Sequence, residues 1–351
     1  MRGPGHPIFT DANNGEQSPL FPFYRSNATP VYHPPASARQ RSSVLDKRSA
    51  WDIVGTLEDD NACHPGERKM RERQTLPDDG LLTPTTGSWS LQKYRLLDLY
   101  DTLFSTGMKQ QWGVRVYIDL FSGPGRARIR NTQRIVETSP LIALRVPDPF
   151  NKYIFCDENP ECMAALRQRV MREWPAVDAS YLVGNCNDIV PKITAEIPRA
   201  SKTKTALSFC FIDPFGIGAL RFDTIRTLSR FRMDFLILLA LAMDANRFKT
   251  LYAREADPTL DLFLGDRDWR NAWKMARSRK VDFRRFLAQQ FADRMAAIRY
   301  LPTGLEKMKE IRSSEKNLPL YHLAFFSKHP RGYDFWNQVL KYGTDQLPLF
   351  E

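Results

Sequence analysis

Residues 114–126, VRVYIDLFSGPGR, constrain the possible folds of this chain more than any other stretch. Val114, Val116, Tyr117, Ile118 and Leu120 crowd apolar side chains into seven positions. That density is the mark of a strand buried on both faces. The run carries Asp119 at its end and then turns through Ser122-Gly123-Pro124-Gly125. Two glycines at a strand exit let backbone approach a ligand where a Cβ would collide. An acid followed by a Gly-x-Gly turn is how doubly wound folds hold a nucleoside cofactor at the carboxyl edge of the sheet. A Gly-x-Gly sequence also serves as a plain tight turn, so the strand ends that follow matter.

Four more strands are expected, at 152–156, 179–183, 206–212 and 234–243, the last almost wholly apolar. Between them lie helices. One enters at Ser139-Pro140 and runs over 138–146, with proline in its first turn. The next carries the stripe Cys162, Leu166, Val170 and Trp174, and others follow at 188–197 and 222–231. A helix capped by Ser88 or Ser90 precedes the first strand, with Leu96, Leu97, Tyr100, Leu103 and Phe104 on one stripe and Gly107 as its end. Residues 307–312 and 321–327 read as an antiparallel hairpin at a sheet edge, before a final helix over 333–342. Strands alternating with helices predict an α/β, doubly wound, mostly parallel sheet with that hairpin at its edge.

The strand ends supply the candidate site. Asp157 ends the second strand, where an acid accepts hydrogen bonds from ribose hydroxyls, or else caps the next helix. Asn185 follows the third strand and would face a purine edge. Asp213, held by Pro214 and Phe215 after the fourth strand, suits chemistry on a polar group, or is a turn with an Asp cap. Residues 244–248, Asp-Ala-Asn-Arg-Phe, bring further polar groups to the same edge.

Composition sorts the rest. The 351 residues carry a net charge of +11. The first 80 hold 10 basic and 11 acidic residues; the remainder holds 41 basic against 29 acidic. The basic excess therefore sits on the folded part and fits either a soluble basic surface or a polyanionic partner. Residues 1–85 are rich in Pro, Ser, Asn and charge without a sustained period, and read as a largely disordered tail with a short helix at 67–74. A cofactor-binding core at 86–246, a basic helical insertion at 247–300 and a completing hairpin and helix at 301–351 follow. In the insertion Arg270, Lys274, Arg277 and Lys280 interleave with Trp269 and Trp273. Such a face either holds a nucleic-acid backbone or is solvated charge over packed tryptophans. Cys63, Cys156, Cys162, Cys186 and Cys210 form no C-x-x-C and read as thiols in a reducing compartment. The longest apolar run, 235–243, is too short to span a membrane, and no signal-peptide core follows Met1, so a cytoplasmic protein is expected.

Several segments taken in order resemble the three-Cys-motif partner protein (TcmP) family: W-x3-K-x3-L-x2-Y from Trp89 to Tyr100, YIDLFSGPGR, TSPLIAL, FCDENP, GNCN, FIDPFG, MDANRF, LFLGDRDW and KHPRG. The resemblance spans roughly residues 86–340. It implies a Rossmann-like, class I methyltransferase fold, S-adenosylmethionine as cofactor, and a separate three-Cys-motif protein of phage type as partner. On that analogy Asp119, Gly123 and Gly125 surround the amino-acid end of the cofactor, Asp157 holds the ribose, Asn185 the adenine, and Asp213 with Pro214 and Phe215 faces the methyl acceptor. Two departures stand out. Asn185 occupies a position where many relatives have Asp. The box Asp213-Pro214-Phe215 has one proline, unlike the Asp/Asn-Pro-Pro-aromatic box of amino-methylating nucleic-acid enzymes. Cytosine-C5 chemistry is excluded, since no Pro-Cys nucleophile follows the fourth strand and Cys210 lies inside it.

Three functions compete. The first is a methyltransferase acting on nucleic acid, with Asp213 orienting an amine; methyl transfer needs alignment and a desolvated pocket more than a strong base. The second is a non-catalytic Rossmann-like subunit of a three-Cys-motif protein in a mobile-element or defence system. The third, a dehydrogenase-like nucleotide binder, lacks the last glycine of G-x-G-x-x-G, because Arg128 stands there.

Overall fold

The computed structural model describes residues 75–199, 201, 205–241, 256–313 and 317–344. The first 74 residues of the expected tail, its helix at 67–74, Cys63 and the 244–248 segment lie outside the described residues.

The main sheet is built from β2 (Val114–Asp119), β5 (Lys152–Asp157), β6 (Ala179–Val183), β7 (Ala206–Ile212), β8 (Met233–Leu239), β9 (Lys309–Arg312) and β10 (Pro319–Phe326). Their order is β6-β5-β2-β7-β8-β10-β9. The first five are mutually parallel, while β10 runs antiparallel to both β8 and β9. This is the expected α/β, doubly wound, mostly parallel sheet with an antiparallel edge hairpin. The order reverses beside β2, which creates the crevice at the carboxyl edge where such folds bind ligands. The expected fifth strand at 234–243 is one residue early at its start and ends at Leu239.

Helices cover both faces: α1 (Ser90–Met108), α2 (Ser139–Leu144), α3 (Pro160–Glu173), α4 (Val190–Glu196), α5 (Phe222–Leu228), α6 (Thr259–Leu264), α7 (Trp269–Ser278), α8 (Phe283–Ala297) and α9 (Pro330–Thr344). One core joins α1, α9 and the sheet through Leu96, Leu97, Tyr100, Phe209, Phe325 and Trp336. The other lies beneath the opposite face and takes in Ile118, Cys210, Phe235 and the apolar sides of α6 and α8. Full burial of a Leu or Phe side chain contributes about 1.5–3 kcal/mol, so the stripe on α1 fixes that helix to the sheet.

Two sequence expectations change here. Gly107 does not end α1, which continues to Met108. A Cβ on Gly107 would stand 2.5 Å from the ring of Phe335, so this glycine admits α9 against α1. The cap of α3 is Asn159, whose side chain accepts from the Glu161 amide, not Asp157. Residues 126–137, to which the sequence assigned no element, form a hairpin of β3 (Arg126–Ile129) and β4 (Ile135–Glu137). Against β3 runs β1 (Thr85–Thr86), in parallel.

That pairing also changes the tail. Residues 75–85 belong to the fold. Thr75 accepts from the Ile135 amide, and Asp79 lies buried against Arg169 and Arg126. An ion pair bridging about ninety positions leaves no local periodic signal, so composition alone assigned these residues to the tail.

Candidate functional site

Strand parity decides which side chains meet at the carboxyl edge. Tyr117, Phe155 and Phe211 all belong to the core on the α1 side of the sheet. Side chains alternate along a strand, so Asp119, Asp157 and Asp213, each two residues further on, emerge on that same side. Their strands β5, β2 and β7 are neighbours. Three acids spread over 95 positions of sequence therefore line one crevice. Cys210 lies in the opposite core, fully buried, as its place within β7 implied.

The glycine turn closes the crevice. Gly123 and Gly125 have φ of +60° and +88°, where a side chain is strained. A Cβ at Gly125 would press on Leu166 and Leu141 at 2.9 and 3.0 Å, whereas one at Gly123 would meet nothing within 4 Å. Gly125 is thus fixed by packing, and Gly123 faces open space. The Gly123 amide donates to Asp157 Oδ2 at 2.8 Å, and the Asn159 amide donates to Asp157 Oδ1 at 2.9 Å. Each carboxylate oxygen keeps a second lone pair for a ligand. Asp119 is fully buried and accepts from the Phe121 amide at 3.2 Å. Burial, with the charges of Asp213 and Asp157 nearby, pushes its carboxyl up to about 7 against the opposing hydrogen bonds from Ser139 and Phe121.

Asn185 is turned into its own loop. Its Oδ1 accepts from both the amide and the side-chain nitrogen of Asn187, at 3.0 and 2.9 Å, which uses both lone pairs. Its Nδ2 remains as a donor, 3.5 Å from Glu158. Asn187 carries the larger structural duty. It donates to the Ala219 carbonyl and accepts from Thr224 and the Arg221 amide, joining this loop to the one after Asp213.

Asp213 forms an ion pair with Lys93 from the first turn of α1. The lysine side chain is 8% exposed and the carboxylate 18%. Burial works against the ammonium, but the Asp213 charge and hydrogen bond, together with the neighbouring Tyr94 and Tyr321, hold the Lys93 pKa above the usual lysine range. Pro214 is buried, while Phe215 is 90% exposed, a flat ring beside the acid. Lys93 was not among the expected site residues. Its signal was nonetheless present: it stands four positions before Leu97 and seven before Tyr100, a cation on a buried helical stripe. The Lys93 ammonium lies 4.7 Å from the centre of the Tyr94 ring.

A second missed residue supports the turn from behind. Arg169 of α3 is fully buried. It donates to the Pro124 carbonyl at 2.6 Å, the Leu82 carbonyl at 3.0 Å, and both oxygens of Asp79 at 2.8 Å. The hydrogen bonds from Arg169 hold the Asp79 carboxyl well below the usual carboxylate range, despite burial. The glycine turn and the 75–86 arm are thereby one unit.

The basic residues of α7 divide. Arg270 pairs with Asp261, donates to the Asp257 carbonyl at 2.9 Å and lies over the Trp269 ring. Trp269 is buried and donates to Asp261 at 2.8 Å, and Trp273 packs on Phe283 and Phe286. Lys274 and Arg277 are exposed, as is Lys280 just past the helix end. No helix among the described residues is long and apolar enough to cross a membrane.

No family model matches the chain, and no curated protein matches it. The three-Cys-motif resemblance accordingly stands on its quoted motifs. Among solved structures, protein LPL1258 from Legionella pneumophila is similar with a TM-score of 0.39 at 10% identity, over 71% of this chain and 92% of that one. Trm1 from Pyrococcus horikoshii, in complex with S-adenosyl-L-methionine, gives 0.36 at 11% identity, over 76% and 62%. Magnesium protoporphyrin IX methyltransferase from Synechocystis, with its cofactor bound, gives 0.33 at 8% identity, over 80% and 97%. All three scores lie below 0.5, and the α/β doubly wound fold rests on the strand order of this chain itself.

Proposed function

We propose that this chain is an S-adenosylmethionine-dependent methyltransferase of the three-Cys-motif partner kind, acting on nucleic acid. The observation that carries the reading is the Gly123 turn. Its left-handed backbone faces open space, bonded to Asp157 and flanked by Asp119 and Asp213 on one side of one sheet edge. Those groups suit the cofactor. Asp157 accepts from ribose hydroxyls with its spare lone pairs, Asp119 stands near the ammonium end, and the backbone of Gly123 and Gly125 lets the amino-acid end approach. Asn185 offers Nδ2 to a ring nitrogen of adenine, since its oxygen is already satisfied. When bound, the cofactor supplies an electrophilic methyl group. The chain's own part is to orient an acceptor amine through Asp213, to keep that carboxylate in place through Lys93, and to shield the pocket with Tyr94 and Phe215.

Nucleic acid is favoured by the basic excess beyond residue 80 and by the exposed Lys274 and Arg277 of α7 and Lys280 just beyond its end, with Arg270 bracing the helix. A second reading, the non-catalytic subunit docking a three-Cys-motif protein, is favoured by the Lys93–Asp213 pair, which already neutralises the acid at the acceptor position.

Calorimetry with S-adenosylmethionine, followed by transfer of its labelled methyl group to total RNA and DNA, separates the two. Cofactor binding with transfer is expected; a protein that binds no cofactor overturns the methyltransferase reading and leaves the subunit reading ahead.

A further inference from the structure

At the amino edge of the sheet, the end opposite Asp213, three segments bonded to one another carry four exposed cations. Arg230 and Arg232 stand in the turn between α5 and β8, Arg299 follows α8, and Lys328 follows β10. Lys328 Nζ donates to the Ser229 carbonyl and lies 4.8 Å from the centre of the Tyr300 ring. The Tyr300 hydroxyl donates to the Met233 carbonyl at 3.0 Å, and the Leu301 amide to the Ser327 carbonyl at 2.9 Å. The Arg232 guanidinium lies 5.4 Å from the centre of the Trp112 ring. None of the four cations forms an ion pair among the described residues. The contrast is local, since Arg221 and Arg226 beside them in sequence pair with Asp188 and Asp223. Asp234, at the start of β8, is buried and accepts from the Tyr100 hydroxyl at 3.1 Å. Burial first, then the charge of Arg299, holds Lys328 below the usual lysine range, against the pull of Asp234.

Like charges gathered without acids repel one another, and an anion relieves that repulsion. The same turn lines a cleft of about 190 Å³, where Arg230, Phe231 and Arg232 meet Ile197 and Ala206. At about 30 Å³ per water it has room for about six waters. That suits a phosphate group and is below the roughly 300 Å³ at which pockets for whole small molecules begin. We propose that this amino-edge turn is a docking surface for the phosphate backbone of a nucleic acid, with Arg230 and Arg232 as its main contacts and Lys328 and Arg299 beside them. Arginine suits phosphate because its planar fork donates in pairs, and the half-buried Phe231 and Trp112 interleave with the cations as bases require. The seven residues of β7, at about 3.3 Å each, set this surface about 20 Å from Asp213. It therefore adds affinity without touching the cofactor, and without choosing a base, since phosphates carry no sequence. The inference rests on the nucleic-acid reading above and adds to it a surface on the far edge of the sheet.

The test is fluorescence anisotropy of the full chain with a labelled single strand over a salt series. Arg230→Gln with Arg232→Gln should flatten the salt dependence by about 1.4 units, about 0.7 for each phosphate on a single strand. Its melting temperature should stay near that of wild type, because the two charges are exposed and unpaired. Arg221→Gln with Arg226→Gln removes the same net charge from paired positions and should leave the slope nearly unchanged. Arg230→Lys with Arg232→Lys keeps the charge and should keep most of the slope. An unchanged slope in the first variant overturns the proposal. Equal flattening in the paired-position control also overturns it, since net charge alone then sets the slope. A lysine variant that loses as much as the glutamine variant makes the guanidinium groups structural, with the same consequence. Polyglutamate that displaces the strand as well as unlabelled strand does would assign the surface to an acidic protein instead. A wild type that binds no strand at low salt removes the nucleic-acid reading and this inference together, whereas binding with an unchanged slope in the variant removes only the inference.

Discussion

Lys93 in the first turn of α1 and Asp213 at the end of β7, 120 residues apart, form the ion pair at the mouth of the crevice. The pair pins the helix that precedes the sheet to the strand that carries the acceptor side of the site. Removing one partner of a buried pair leaves an uncompensated charge. Lys93→Met should therefore lower stability by about 2–4 kcal/mol, less than the largest cases because Asp213 keeps some solvent contact. Adding Asp213→Asn should restore a good part of that loss. Urea titration of both single variants and the double variant checks the coupling; additive losses would show that the two charges act independently.

The two glycines of the turn should fail in different ways. Gly123→Ala costs about 1–2 kcal/mol for its left-handed backbone, with no clash, and should weaken S-adenosylmethionine binding because its methyl enters the open space. Gly125→Ala presses on Leu141 and Leu166, and should lose more stability than Gly123→Ala. Paired calorimetry and thermal melts compare them. Equal affinity for the cofactor in Gly123→Ala and wild type would place the ligand elsewhere.

Asp119 should make stability depend on pH with a defined sign. Burial pushes its folded carboxyl up to about 7, above the ordinary aspartate value. The folded state therefore holds the proton more tightly than the unfolded chain. The contribution is fully present below the unfolded value and is lost as pH rises through about 7. At about 1.4 kcal/mol per unit, the group costs the folded state at most about 4 kcal/mol at high pH. Asp119→Asn should remove that dependence, so that the variant gains on wild type between pH 5 and pH 8. Denaturant midpoints across that range read the difference, and parallel curves would contradict it.

The arm should be required only from Thr75 onward. Trimming residues 1–74 leaves the Asp79–Arg169 pair and the β1–β3 pairing in place. Asp79→Ala strands the fully buried guanidinium of Arg169 and should cost about 3–5 kcal/mol. It should also loosen the turn through Pro124, which Arg169 holds. Limited proteolysis and melts follow both. A trimmed protein less stable than Asp79→Ala would reverse the ranking.

Charges on α7 should separate into structural and solvent-facing. Lys274→Ala with Arg277→Ala should flatten the salt dependence of nucleic-acid binding by about two units, as two phosphate contacts imply, with little change in melting. Arg270→Ala should instead lower the melting temperature, since it removes a half-buried ion-pair partner of Asp261. Anisotropy over a salt series, beside thermal melts, distinguishes them. An unchanged slope in the double variant would move any contact off this helix.

The order of strands and helices, the Gly-x-Gly turn and its neighbouring acids were legible in the sequence because each has a local signature. The apolar runs of β2, β7 and β8 and the stripe of α1 announce themselves within ten or fifteen residues, and strand parity then places Asp119, Asp157 and Asp213 on one side. What the sequence left undecided depends on contacts between distant segments. Lys93 reads as one cation in a helix until β7 brings Asp213 to it. Asp79 reads as part of a tail until Arg169 reaches it from α3. Gly107 looks like a helix end until Phe335 is packed against it. Periodicity reports burial along a single element; the partner of a buried charge, donor or close approach is chosen by the tertiary arrangement, and no local pattern encodes it.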